Sequence, residues 1–174
     1  MKLPALAVLF GWGLALVNGV HASVDGQIGS DLVKLEGDQM VALGPKALEK
    51  KKLVAIYYSA HWCPPCRAFT PELSAFYDEI SRTHPEFELV FVSSDENADA
   101  MKKYMEWGKM KFPAVSFDKI ASNPWLKENS AAGIPYLVVF DGDGKMVLGK
   151  APGQDWRPPQ EVLAELKKLL GKSA

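Results

Sequence analysis

Lys52-Leu53-Val54-Ala55-Ile56-Tyr57-Tyr58-Ser59 runs through Ala60-His61 into Trp62-Cys63-Pro64-Pro65-Cys66 and on into Arg67-Ala68-Phe69-Thr70-Pro71-Glu72-Leu73. The first eight residues read as a buried strand, and residues 67–84 set Phe69, Leu73, Phe76, Tyr77 and Ile80 at helical spacing. The chain therefore passes from strand to helix, and two cysteines sit at the junction. Cys63 is expected at the N-cap and Pro64 at the first helical position, where its fixed φ suits the helix and its missing N–H is not needed. The helix dipole and the free N–H groups of a first turn favour an anion, so the thiol pKa falls in Cys-x-x-Cys pairs placed this way. Thiolate is the attacking species in disulfide exchange. Cys63 and Cys66 are the only cysteines, and at this spacing they can close a small reversible disulfide.

Other chemistries use the same spacing. Zinc requires four ligands, of which a Cys-x-x-Cys supplies two. With no third cysteine, and with only His21, His61 and His84 as histidines, a zinc or copper site would need carboxylates. Covalent haem attachment places histidine directly after the second cysteine, where this chain has Arg67. A purely structural disulfide closing a loop of about four residues would contribute only roughly 2 kcal/mol. Redox exchange is the favoured reading, with metal handling and an inert staple as the alternatives.

The 174 residues, 24% charged and 48% hydrophobic, suit one globular domain with a sizeable core. A net charge of −1 and the lack of long basic or acidic runs point away from nucleic acid. At the N-terminus, Lys2 precedes an apolar stretch that ends in Val20-His21-Ala22 before Ser23. This is the layout of a signal peptide over residues 1–22, with a mature domain over residues 23–174. A retained anchor is the alternative, though Gly11, Gly13 and Gly19 dilute the apolar run and no basic stop follows it. The expected location is periplasmic or secreted, with no stable membrane association after cleavage. Disulfides persist in such compartments.

Further along, Leu43-Gly44-Pro45 is expected to open a short helix through Ala47 and Leu48, and Pro71 to kink the helix after the cysteines. Phe87-Glu88-Leu89-Val90-Phe91-Val92-Ser93 reads as a second buried strand, and residues 96–107 as a helix with Met101, Tyr104 and Met105 on one face. Residues 111–118 are a short strand or an extended loop. Asn123-Pro124 starts a short helix, and residues 136–148 form an antiparallel hairpin about Asp141-Gly142-Asp143-Gly144. Pro159 opens the closing amphipathic helix, with Val162, Leu163, Leu166, Leu169 and Leu170 inward. The first two strands, joined by a crossover helix, are expected to be parallel.

Over residues 30–170 the chain resembles the thioredoxin superfamily, and within it the tryparedoxin and nucleoredoxin branch. The likeness is carried by Tyr58-Ser59-Ala60-His61-Trp62-Cys63-Pro64-Pro65-Cys66-Arg67-Ala68-Phe69-Thr70-Pro71-Glu72-Leu73, by Val92-Ser93-Ser94-Asp95-Glu96, by Phe112-Pro113-Ala114-Val115-Ser116-Phe117-Asp118 and by Gly133-Ile134-Pro135. The resemblance implies a thioredoxin fold: an α/β architecture with a central mixed β-sheet flanked by helices on both faces. It implies a redox disulfide between Cys63 and Cys66, a cis bond before Pro135, and an extended substrate segment pairing with the Ile134 backbone. Many thioredoxins bury an aspartate and a lysine behind the disulfide; here those positions read Tyr57 and Phe91. That leaves the proton acceptor of Cys66 open, with Glu72 a candidate and a solvated helix-face carboxylate its alternative.

The sequence thus points to an exported thiol-disulfide oxidoreductase in which Cys63 attacks and Cys66 resolves. Trp62, Pro64, Pro65, Arg67, Ile134 and Pro135 shape or support the substrate groove. No cofactor and no metal are assigned. The partners are protein substrates with disulfides and an unidentified electron donor or acceptor. Reduction is the expected direction. The alternatives are a disulfide oxidase or isomerase, and a non-catalytic copper- or partner-binding module.

Overall fold

The computed structural model describes residues 22–149 and 157–171. The leader expected over residues 1–22 lies, save for Ala22, outside the described residues. In chain order the elements are α1 (Val24–Ile28), β1 (Leu32–Glu36), β2 (Gln39–Ala42), β3 (Leu53–Ser59), α2 (Pro64–Ile80), β4 (Phe87–Ser93), α3 (Ala98–Trp107), β5 (Ala114–Val115), α4 (Phe117–Ile120), α5 (Pro124–Glu128), β6 (Tyr136–Asp141), β7 (Met146–Leu148) and α6 (Pro159–Leu170).

The strands form one sheet in the order β2-β1-β5-β4-β3-β6-β7. β3 is parallel to β4, as the crossover through α2 requires, and antiparallel to β6 on its other side. Side chains alternate across a strand, so β3 sends Val54, Ile56 and Tyr58 to one face and Ala55 and Tyr57 to the other. The second face is covered by Phe69, Leu73 and Phe76 of α2, Met101, Tyr104 and Met105 of α3, and Val162, Leu163 and Leu166 of α6. Val24 and Ile28 of α1, Leu48 and Leu126 of α5 close the first. Helices on both faces of a mixed sheet are the architecture the resemblance implies.

Two local expectations change. Residues 45–50 form turns rather than a helix, because Gly44 and Lys46 take left-handed φ values of 80° and 66° and the Leu48 N–H is held by Asp25 Oδ1 at 2.7 Å. Residues 111–118 divide into the two-residue β5 and the start of α4, since Pro113 has no N–H and gives only its carbonyl to the Phe91 N–H at 2.9 Å. Beyond the elements read from the sequence, β1 and β2 form a hairpin in which Glu36 pairs with Gln39 across Gly37 and Asp38. Gly37, at φ 61°, supplies the left-handed residue of that two-residue turn. The α2 helix runs as one element through Pro71.

Candidate active site

The end of β3 and the start of α2 place Cys63 where the sequence predicts. Its backbone is extended, with φ −89° and ψ 110°, and its sulfur caps the helix by accepting the Cys66 N–H at 3.3 Å. Pro64 and Pro65 have no N–H, so Cys66 carries the first amide donor of the helix. The two sulfurs are joined, with the Cα atoms 5.2 Å apart. Cys66 is fully buried. Cys63 is only 3% accessible. It reaches solvent through a cleft lined by Trp62, Pro64, Pro65, Ser94 and residues 131–134. None of these side chains carries a charge.

Both walls are fixed. Trp62 is 54% exposed, yet its indole N–H donates to the Ser94 carbonyl at 3.1 Å, so it stands as a flat apolar cover tied to the end of β4. The His61 N–H donates to Asp95 Oδ1 at 2.8 Å, and the Ser93 hydroxyl to Asp95 Oδ2 at 2.8 Å. Arg67, one turn into α2, donates from Nη1 to the His61 carbonyl at 2.6 Å, and is therefore a brace of the loop rather than a wall of the cleft. On the opposite wall the Ile134–Pro135 bond is cis, and the Ile134 carbonyl oxygen lies 3.8 Å from Cys63 Sγ. Pro135 is buried behind that loop.

Tyr57 is buried behind the cysteines among Phe69 and Phe91, with ring centroids 5.7 and 6.3 Å away. Burial, then the neighbouring Tyr104, push the Tyr57 hydroxyl pKa well above its ordinary value, which keeps it neutral. Glu72, the candidate acceptor for the Cys66 proton, instead lies on the surface of α2 paired with Lys167 of α6 at 3.2 Å. Four residues have no counterpart among the site residues read from the sequence: Ser94 lines the cleft, Asp95 holds the His61 N–H, Thr70 bonds the Cys66 carbonyl and Tyr104 bonds Thr70. Ser59 and Tyr57 share a face by strand period, and Thr70 follows Cys66 by one helical turn, so those two placements were available from spacing. The contact of Tyr104, 34 residues from Thr70, was not.

A family profile described as Thioredoxin-like matches residues 51–146. The chain is 37% identical over 100 residues to a probable nucleoredoxin 1 of Arabidopsis thaliana, covering 58% of this chain and 17% of that protein. It is 38% identical over 99 residues to the tryparedoxin of Trypanosoma brucei brucei, covering 56% of this chain and 67% of that protein. A solved thioredoxin of Wuchereria bancrofti superposes with a TM-score of 0.61 at 35% identity, over 84% of this chain and 99% of that one. The match thus spans less than a fifth of the length of the plant nucleoredoxin.

Proposed function

The chain belongs to the thioredoxin-like family, and on that premise we propose that it is a thiol-disulfide oxidoreductase whose Cys63 and Cys66 exchange electrons with protein disulfides. The observation that carries this reading is the Cys63–Cys66 disulfide at the helix start, with Cys63 Sγ receiving the Cys66 N–H at the floor of an open cleft. In the reducing direction the Cys63 thiolate attacks one substrate sulfur, the other leaves as a thiolate and takes a proton, and a mixed disulfide forms. Cys66 then loses its proton and attacks Cys63, releasing the second substrate thiol and leaving Cys63 and Cys66 oxidised. Two electrons pass to the substrate, and a dithiol donor must return them. The uncharged walls of the cleft suit an extended polypeptide segment lying between Trp62 and the Ile134 backbone.

We assign the direction as reduction rather than oxidation or isomerisation. Pro64 and Pro65 remove two N–H donors from the first turn, leaving fewer groups to stabilise the Cys63 thiolate, and less thiolate stabilisation makes a less oxidising disulfide. Equilibration with glutathione buffers, followed by Trp62 fluorescence, is expected to place the couple below about −180 mV. A value near the −120 mV or so of a strong periplasmic oxidase reverses the direction. Loss of the transition should accompany Cys63→Ser. Insulin reduction retained by Cys63→Ser would remove the dithiol from the chemistry, whereas wild-type protein that reduces no insulin would favour a binding module.

Export is the second part of the reading, supported by the apolar residues 3–20 and the small residue Ala22. Ser23 caps α1 by accepting the Gly26 N–H at 3.2 Å, so a chain starting at Ser23 keeps the first helix intact. The mass of the protein recovered from its host is expected to match that start, and a full-length membrane-bound species would overturn it.

A further inference from the structure

Beneath the disulfide, four hydroxyls from three elements close a ring. Tyr57 Oη lies 2.9 Å from Thr70 Oγ1, Thr70 Oγ1 lies 2.6 Å from Tyr104 Oη, Tyr104 Oη lies 2.9 Å from Ser59 Oγ, and Ser59 Oγ lies 2.9 Å from Tyr57 Oη. All four residues are fully buried. Two further contacts leave the ring for a single atom, the Cys66 carbonyl oxygen, at 2.9 Å from Thr70 Oγ1 and 3.4 Å from Tyr57 Oη. Six contacts share four protons. If Thr70 gives its proton to the Cys66 carbonyl, both tyrosines can donate to Thr70 and Ser59 can donate to Tyr57. The protons then run in one direction, toward Cys66, and each donation strengthens the next.

The Thr70 side chain has little freedom to do otherwise. A Cβ on Gly108 would fall 2.8 Å from Thr70 Cγ2, so the chain leaving α3 lies against that methyl and fixes which branch faces Cys66. A threonine hydroxyl bonded to the carbonyl four residues back competes with the helix and is tolerated there rather than favoured. In this helix the carbonyl belongs to the residue whose N–H reaches Cys63 Sγ at 3.3 Å.

We propose that Thr70, set by Tyr57, Ser59 and Tyr104, is a positioning residue for the dithiol: it holds the Cys66 backbone so that the Cys66 N–H stays aimed at Cys63 Sγ and stabilises the thiolate there. The proposal rests on the thiol-disulfide reading above. It also separates two tasks, because the Thr70 hydroxyl orients Cys66 but does not take its proton. The ionisable side chains tied to this region are His61, whose ring stacks on Tyr104 at 5.2 Å, Arg67 on the His61 carbonyl, and Asp95 on the His61 N–H. None of them is altered by a substitution at Thr70.

Alkylation of the reduced protein as a function of pH, with the modified cysteine identified by mass, tests the proposal. Thr70→Val keeps the shape and removes the hydroxyl, and the inflection for Cys63 is expected to move up enough to lower the thiolate fraction about threefold on the acid side. Thr70→Ser should restore the wild-type inflection. Tyr57→Phe combined with Tyr104→Phe removes both donors to Thr70 and should shift it in the same sense, and this variant decides the matter if Thr70→Val does not fold. An unmoved inflection in Thr70→Val or in the double variant, or a Thr70→Ser shift equal to that of valine, overturns it. Failure of the thiol-disulfide reading would look different, since wild-type protein would then not reduce insulin at all.

Discussion

The Asp95 carboxylate accepts from two neutral donors, the His61 N–H and the Ser93 hydroxyl, each at 2.8 Å, and is itself only 8% accessible. The first of these bonds ties the loop before Cys63 to the end of β4, and Trp62 adds a second tie through Ser94. Asp95→Ala would leave both donors without an acceptor, at about 1–3 kcal/mol for a buried group so stranded. A urea midpoint should fall accordingly, and insulin reduction should slow because residues 60–62 no longer hold Trp62 over the cleft. Asp95→Asn retains one acceptor oxygen and is expected to lose less of both. An Asp95→Ala protein with wild-type stability and rate would show that the loop is set by Arg67 and Trp62 alone. The sequence exposed the stretch Val92-Ser93-Ser94-Asp95-Glu96 as part of a resemblance but not this role, since the partner of Asp95 is 34 residues distant.

Elements with a strong period or a clear terminus were legible, and elements defined by what they touch were not. β4 and α6 occupy the residues that alternation, caps and apolar spacing indicate, and α5 begins at Pro124 behind its Asn123 cap. The β1–β2 hairpin is not legible from periodicity because its strands are half exposed and lack the dense apolar run of β3, although Gly37-Asp38 is a turn signal. The turns at residues 45–50 read as helix because Ala47 and Leu48 are good helix formers, and propensity yields to the Asp25 carboxylate that captures the Leu48 N–H. Asn123 serves two elements: its Oδ1 accepts the Leu126 N–H at 3.1 Å, and its Nδ2 donates to the Gln27 carbonyl of α1 at 2.9 Å. Loss of a cap alone costs about 0.5–2 kcal/mol, so Asn123→Ala is expected to reach the upper part of that range. Asn123→Asp keeps the cap and loses the α1 bond, and thermal unfolding of the two variants separates the contributions. Equal Tm values for Asn123→Asp and wild type would mean that the α1 contact adds nothing.

Across the whole molecule, the cleft exists because three chain segments meet at one end of the sheet: the β3–α2 junction, the β4–α3 loop and the loop before β6. The Cys-x-x-Cys motif points to the first and the family resemblance implies the third, and the cores behind them follow from the alternation of β3 and β4. Those cores also set how the fold meets alkali. Tyr57 lies in one and Tyr58 in the other, and burial, aided by Tyr104 and Tyr136 respectively, raises both pKa values above the ordinary range. Both hydroxyls are hydrogen-bonded as neutral groups, Tyr57 to Thr70 and Tyr58 to the Leu126 carbonyl at 3.0 Å. In the unfolded chain a tyrosine ionises near pH 10, about where the folded protein still keeps these protons. The folded state then binds more protons than the unfolded one, so the stabilisation is fully present below about pH 10 and declines as pH rises toward the folded values. The slope is about 1.4 kcal/mol per pH unit for each tyrosine so held. Urea unfolding of the oxidised protein should therefore show a midpoint that is flat up to about pH 9 and falls steeply above about pH 10, with phenolate absorbance appearing together with loss of the fold. Replacement of Tyr58 by phenylalanine should reduce that slope, because one buried hydroxyl no longer discriminates between the states. Ionisation of both tyrosines in a chain that stays folded would contradict their placement in the two cores.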